Sequence, residues 1–217
     1  MSKTRIGVLI SGRGSNLQAL IDACAQEDFP AQIGLVISNR PNAGGLKRAA
    51  DAGLPHNTIS HQDYPSRDAF EDALDQALKA AKVRYVVLAG FMRILTETFV
   101  DRWRDRIINI HPSLLPAFRG LDVHARVLES GVRFTGCTVH YVRPEMDDGP
   151  IIGQAVTAVQ PEDDEETLAA RVLELEHRLY PECLKRVIEG RARIVEGRVP
   201  LEDEAPSAEA LTVPNAG

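Results

Sequence analysis

The sequence predicts a doubly wound, mostly parallel α/β fold with a C-terminal strand pair and a long helix, and three observations carry that prediction. Short β-branched apolar runs alternate with longer stretches of helical period. The links between them are short, which in a strand–helix–strand chain implies right-handed crossovers and a parallel sheet. The chain has 217 residues, 44% hydrophobic and 26% charged, the length of one well-buried domain and the composition of a soluble globular protein.

The elements follow in order. Ile6–Ile10 is the first apolar run, and Ser11-Gly12-Arg13-Gly14 ends it before it reaches the length of a signal peptide's apolar core, so it is expected to be a buried strand and not a leader. Leu17–Cys24 has helical period, and Ile33–Ile37 is the next strand. Ala43–Ala52 reads as a helix and His56–Ile59 as a weaker strand. Asp68–Ala81 is helical, with Asp68, Glu71 and Asp72 placing acid at the end the helix dipole favours. Strand Tyr85–Ala89, helix Thr96–Trp103 and strand Ile107–Ile110 continue the alternation. Strands Cys137–Val142 and Ile151–Val159 flank a Pro- and Gly-bearing loop, the pattern of a hairpin-like excursion. Glu165–Leu184 is the longest helical stretch, with Leu168, Val172, Leu175 and Leu179 at core spacing. Residues 1–200 therefore read as a single domain without internal repeats. Residues 201–217 carry Glu202, Asp203, Glu204 and Glu209, no Lys or Arg, and two prolines, which predicts a disordered acidic tail.

Charge and composition exclude several functions. Lys plus Arg number 25 against 31 acids, a net charge of −6, and the four acids of the tail leave about −2 on the body. That argues against broad nucleic-acid binding, which needs a cationic excess, but not against a small anionic ligand held by a few groups. No run approaches the ~20 apolar residues of a membrane span. Cys24, Cys137 and Cys183 lie far apart without a Cys-x-x-Cys pair, so neither a disulfide framework nor a zinc ribbon fits, and a reducing cytoplasm is expected. His56, His61 and His140 lack a metal-ligand spacing; structural or surface roles, and no metal, are expected.

Ser11-Gly12-Arg13-Gly14-Ser15-Asn16 joins the first strand to the first helix. Glycines there let the backbone turn sharply and turn amide N–H groups outward at a helix N-terminus, which binds phosphate without net positive charge. The plainer alternative is a tight turn with Ser15 or Asn16 as N-cap. A dinucleotide fold wants a third glycine where Leu17 stands, yet Ser38-Asn39-Arg40 at the second strand's end is suited to a 2′-phosphate, so an NADP-dependent oxidoreductase is a rival reading. A non-catalytic nucleotide- or folate-binding module is another.

Strand Ile107–Ile110 runs into His111-Pro112-Ser113-Leu114-Leu115-Pro116. Ligands of such sheets bind at the carboxyl ends of strands, and period-2 geometry aims Asn109 and His111 to one face there. An Asn amide can donate to a developing oxyanion and a His can carry a proton. Asp147, or its neighbour Asp148, could be delivered by the following loop to pair with His111 and favour its imidazolium form. An Asp-Gly turn is the plainer account of both acids.

Four motifs then occur together and in order: Ser11–Leu17, Leu88-Ala89-Gly90-Phe91-Met92-Arg93-Ile94-Leu95, Ile108–Pro116 and Met146-Asp147-Asp148-Gly149-Pro150. Over roughly residues 4–198 the set resembles the phosphoribosylglycinamide (glycinamide ribonucleotide) formyltransferase family, folate-dependent enzymes of purine synthesis with a Rossmann-like fold. The Asn-x-His…Asp triplet is shared by the wider formyltetrahydrofolate-using superfamily; the glycine turn and Glu176-His177-x-x-Tyr180-Pro181 narrow it to the nucleotide-using member. The resemblance implies formyl transfer from 10-formyltetrahydrofolate as cosubstrate, with Asn109, His111 and Asp147 catalytic. It implies that Gly14, Ser15 and Asn16 hold the nucleotide's phosphate and Glu176 its ribose. It implies a folate site lined by Arg67, Met92, Arg93, Ile94, Leu95, Asn109, Arg143, Pro144, Glu145, Met146 and Asp147, with Arg93 suited to the glutamate tail. Taken alone, Met92, Ile94 and Leu95 read as core. Asp147 is favoured over Asp148 by the x-Gly-Pro that follows it. Two positions depart from the pattern: Leu173 stands where a polar residue is frequent, and Asp122 where many members have His. Small molecules are the only partners implied, and monomer and homodimer fit the sequence equally. Relatives that act on methionyl-tRNA or hydrolyse formyltetrahydrofolate carry a further C-terminal or N-terminal domain, and neither is expected in this chain.

Overall fold

The computed structural model describes residues 3–200; the predicted acidic tail lies outside them. Seven strands form one sheet in the order β3-β2-β1-β4-β5-β6-β7. They are β1 (Thr4–Ile10), β2 (Ala31–Ser38), β3 (His56–Thr58), β4 (Tyr85–Leu88), β5 (Ile107–His111), β6 (Phe134–Tyr141) and β7 (Ile151–Ala158). Strands β3, β2, β1, β4 and β5 pair in parallel, and β6 and β7 add as an antiparallel pair at the β5 edge. The strand order reverses direction between β1 and β4, which opens a crevice at their carboxyl ends.

Helices cover both faces, as buried parallel strands require. Along β1, Ile6, Val8 and Ile10 point into one core and Leu9 into the other, the period of 2 expected of a strand. The first core takes Leu17 and Leu20 of α1 (Ser15–Ala25), Ala49 of α2 (Gly44–Asp51), and Tyr180, Cys183 and Leu184 of α6 (Glu165–Ile188). The second takes Phe70, Leu74 and Leu78 of α3 (Arg67–Ala80) and Phe99 and Val100 of α4 (Glu97–Arg102). Asp164 and Thr167 close a capping box at the start of α6, and Glu165 and Glu166 sit in its first turn.

Three local features differ from the sequence expectation. A helix, α5 (Val123–Ser130), follows the His111 loop where none was expected; only Val123 and Val127 are buried on it, too short an apolar stripe to read as a period. Helix α6 runs on to Ile188 instead of stopping at Leu184, and Pro181 lies inside it. The N-cap of α1 is neither Ser15 nor Asn16 but Gly14, in the left-handed region at φ 74°, with no side chain accepting from the first turn. A glycine is required there twice over, because a Cβ on Gly14 would lie 2.5 Å from Gly45 Cα. Gly14→Ala is accordingly expected to cost about 2 kcal/mol or more, read as a lower urea midpoint with an unchanged slope.

Candidate active site

A polar cluster gathers at the carboxyl end of β5. Asn109 and His111 project from it, and the loop after β6 brings Asp147 over them. His111 Nδ1 lies 3.4 Å from Asp147 Oδ2, and His111 Nε2–H donates to the Phe118 carbonyl at 2.9 Å. Both imidazole nitrogens thus face atoms that only accept. Asp147 Oδ2 also accepts from Gly120 N–H at 2.9 Å. Asp147, Phe118 and Asp122 all hold positive φ, near 53–55°. Non-glycine residues hold that region at a cost, and such strain concentrates where a site is preorganised.

Geometry separates the two neighbouring acids. The Asp147 side chain is 11% exposed against His111, whereas Asp148 is 46% exposed and its carboxylate accepts from Arg119.

His140, expected to be structural or superficial, stands inside this cluster. Its Nδ1–H donates to the Tyr141 carbonyl at 2.9 Å, which leaves Nε2 as an acceptor, and Asn109 Nδ2 approaches that atom at 3.2 Å. Burial pushes the His140 pKa below the usual imidazole range, so the neutral form is kept. A neutral His140 therefore fixes which way the Asn109 amide faces and leaves its second N–H and its oxygen for other partners. The sequence places His140 on a strand and no more; the antiparallel register of β6 on β5 sets it opposite Asn109.

The glycine turn and α6 meet nearby. Asn16 Nδ2 donates to Glu176 Oε2 at 2.7 Å, and Asn16 Oδ1 is buried without a partner. Burial raises the Glu176 carboxyl to about 7, against the opposing pull of that hydrogen bond. Gly14 and Ser15 stand at the start of α1, whose first turn no side chain caps. Leu173 is half-buried on α6 and Asp122 is the N-cap of α5.

Most of the predicted folate residues fall in two loops, 92–95 after β4 and 143–147 after β6, while Arg67 opens α3 and Asn109 lies on β5. Arg67 donates to the Ile94 carbonyl, and the Arg93 guanidinium lies 5.8 Å over the Phe70 ring. Met92, Ile94 and Met146 are exposed, as is Leu121, which sequence reasoning passed over, while Leu95 is buried in the second core. Met146 lies over Gly120, its methyl 3.3 Å from where a Cβ would be. Pro144 is half-buried and Glu145 exposed. Arg143 turns away from the cluster: its Nη2 bonds Asp105 at 2.7 Å beside the start of β5, which leaves its backbone to the loop.

Burial pushes the thiols of Cys24, Cys137 and Cys183 up to about 12, so they are not standing nucleophiles. Among the described residues, no group of three or more His, Cys, Asp or Glu could hold a metal ion, and no helix is long and apolar enough to cross a membrane.

The fold is a doubly wound α/β sheet of the class that binds ligands at the carboxyl ends of its strands, with an uncapped glycine turn after β1 and Asn109, His111 and Asp147 gathered at the end of β5. Residues 4–184 match the formyl transferase family, and the chain belongs to it. It is 42% identical over 199 residues to the phosphoribosylglycinamide formyltransferase of Escherichia coli, covering 92% of this chain and 94% of that one. It is 51% identical over 195 residues to the trifunctional purine biosynthetic protein adenosine-3 of Drosophila pseudoobscura; that match takes 89% of this chain but spans only 14% of the trifunctional protein. The crystal structure of glycinamide ribonucleotide transformylase 1 from Symbiobacterium toebii superposes with a TM-score of 0.90 at 47% identity, over 93% of this chain and 95% of that one.

Proposed function

We propose that this chain transfers the formyl group of 10-formyltetrahydrofolate to the amine of 5-phosphoribosylglycinamide, giving the formylated nucleotide and tetrahydrofolate in purine synthesis. The observation that carries the reading is the convergence of Asn109, His111 and Asp147 at one strand end, in a chain that matches a bacterial phosphoribosylglycinamide formyltransferase over nearly its whole length. The partners are small molecules, and three free thiols, two of them buried, suit a cytoplasmic enzyme.

The chemistry follows from the groups. The nucleotide's amine attacks the formyl carbon, a C–N bond forms, and the carbonyl electrons move to oxygen. Asn109 donates its free amide proton to that oxyanion, oriented by His140. His111 donates Nε2–H, exchanging the Phe118 carbonyl for the oxyanion as the substrates enter. Asp147 holds Nδ1–H of the imidazolium. It also helps, through water, to move the amine proton to the folate nitrogen as the C–N bond to folate breaks. Each oxyanion donor contributes about 3–4 kcal/mol. No covalent enzyme intermediate is required.

Binding divides between the two ends of the crevice. The first-turn N–H groups at Gly14, Ser15 and Asn16 receive the phosphate, and the Glu176 carboxylate accepts from ribose hydroxyls. Met92, Ile94, Leu121 and Met146 offer exposed apolar surface of the kind a pterin and aryl ring cover, with Arg93 for the glutamate tail.

An assay with both substrates, and with each omitted, tests the reading: formylated nucleotide is expected only when both are present. Release of formate without the nucleotide would instead make the chain a hydrolase, and tight NADPH binding without folate binding an oxidoreductase. In the same assay Asp147→Asn is expected to lower kcat at least a hundredfold and Asp148→Asn by less than about threefold, because the Arg119 pair is exposed.

A further inference from the structure

We propose that Ser11, oriented by Asn39, is a positioning residue that fixes the loop after β4 against the glycine turn, so that the formyl-donor and nucleotide subsites are held in one arrangement. The subsite assignment rests on the function proposed above; the clamp itself rests on geometry.

Strands β1 and β4 pair in register from Ile6↔Tyr85 to Leu9↔Leu88. Their ladder continues past both strand ends: Ala89 N–H donates to the Leu9 carbonyl at 2.9 Å and Ser11 N–H to the Gly90 carbonyl at 3.0 Å. At Gly90 the chain takes a positive φ of 73° and leaves the sheet. The next bond in the series cannot be made by backbone alone, because β1 has turned into the glycine motif. A side chain makes it instead: Met92 N–H donates to Ser11 Oγ at 2.7 Å. The hydroxyl's own proton goes to Asn39 Oδ1 at 2.6 Å, just beyond the end of β2. With that oxygen engaged, Asn39 Nδ2 turns to His61 Nδ1 at 3.5 Å.

Three strand ends are thus joined through one hydroxyl. Ser11 is 3% exposed and Asn39 2%, so neither has solvent to substitute for the other. A serine hydroxyl has a single proton; committing it to Asn39 aims a lone pair at Met92 N–H. Asn39 belongs to the Ser38-Asn39-Arg40 stretch whose sequence suits a 2′-phosphate. Here its amide oxygen is spent inside the protein, setting the rotamer of Ser11. The loop it secures carries Met92, Arg93, Ile94 and Leu95, while Ser11 opens the turn that carries Gly14, Ser15 and Asn16.

Ser11→Ala removes the acceptor of a loop amide and the donor to a buried oxygen. With both substrates varied, the donor KM is expected to rise about 10- to 100-fold, with kcat and the nucleotide KM changed by less than about threefold. Tetrahydrofolate titration should show the same rise in Kd, and hydrogen exchange at the Met92 amide should lose its protection. Asn39→Leu should give the same pattern, and the double variant should be no worse than either single one. A donor KM within about threefold of wild type, or equal rises in both KM values in step with a fall in Tm, would overturn the clamp. If wild-type protein transfers no formyl group, the subsite assignment falls instead, and exchange at Met92 still reports on the clamp: protection unchanged in Ser11→Ala overturns that too.

Discussion

Replacing His111 by alanine is expected to lower kcat by about 10²–10³-fold, the cost of one lost oxyanion donor in a water-poor site. The protein should stay folded: the Phe118 carbonyl and the Asp147 carboxylate each lose a partner, a loss of about 1–3 kcal/mol, but Asp147 keeps the Gly120 N–H. The two effects separate cleanly, because the kinetic loss is read from kcat under saturation and the structural one from a urea melt. Nucleotide KM should change little, since Asn16 and Glu176 make no bond to the His111 cluster. Asn109→Ala should lose a comparable factor, and the double variant less than the product of the two, because both donors serve one oxygen. Near-normal turnover in a folded His111→Ala protein would remove His111 from the mechanism.

The chain order of the fold is written in short-range patterns, and these were legible. Apolar runs of β-branched residues fall on β1, β2, β4 and β5, and the amphipathic stretches fall on α1, α3 and α6. So was the pairing of Asn109 with His111, since two residues on one strand share a face whatever the tertiary structure. What was not legible depends on register across the sheet. His140 reads as an ordinary strand residue until β6 is laid antiparallel on β5, opposite Asn109. Likewise Ser11 and Asn39 read as turn punctuation until β1, β2 and β4 align at their ends. Asp147 and Asp148 are chemically identical neighbours, and only the left-handed backbone at Asp147 and the position of Arg119 give them different partners. Helix α5 escaped because only two of its eight residues, Val123 and Val127, are buried, too short a stripe to show a period.

Glu176 supplies the second large effect, in which stability and binding move in opposite directions. Desolvation raises its carboxyl from 4.5 to about 7, and the Asn16 hydrogen bond offsets this only in part. Between those two values the native state holds a proton that the unfolded chain has released, so stability falls as pH rises across that window. Above about pH 7 the buried carboxylate costs the fold about 3 kcal/mol. Glu176→Gln keeps the shape and an oxygen for Asn16 Nδ2 but has no charge to bury. It should therefore match wild type near pH 4.5 and exceed it by up to about 3 kcal/mol at pH 8, measured by urea unfolding across that range. Binding runs the other way. Ribose hydroxyls donate best to a carboxylate, so nucleotide affinity of the wild type should strengthen as pH rises through 7. Glu176→Gln should raise the nucleotide KM about tenfold or more at pH 8 and abolish that inflection, leaving only the titration of the substrate's own phosphate and amine. A buried acid that destabilises the protein at working pH persists because a ligand repays it; a Glu176→Gln variant no more stable than wild type at pH 8, or one with unchanged nucleotide KM, would break that link.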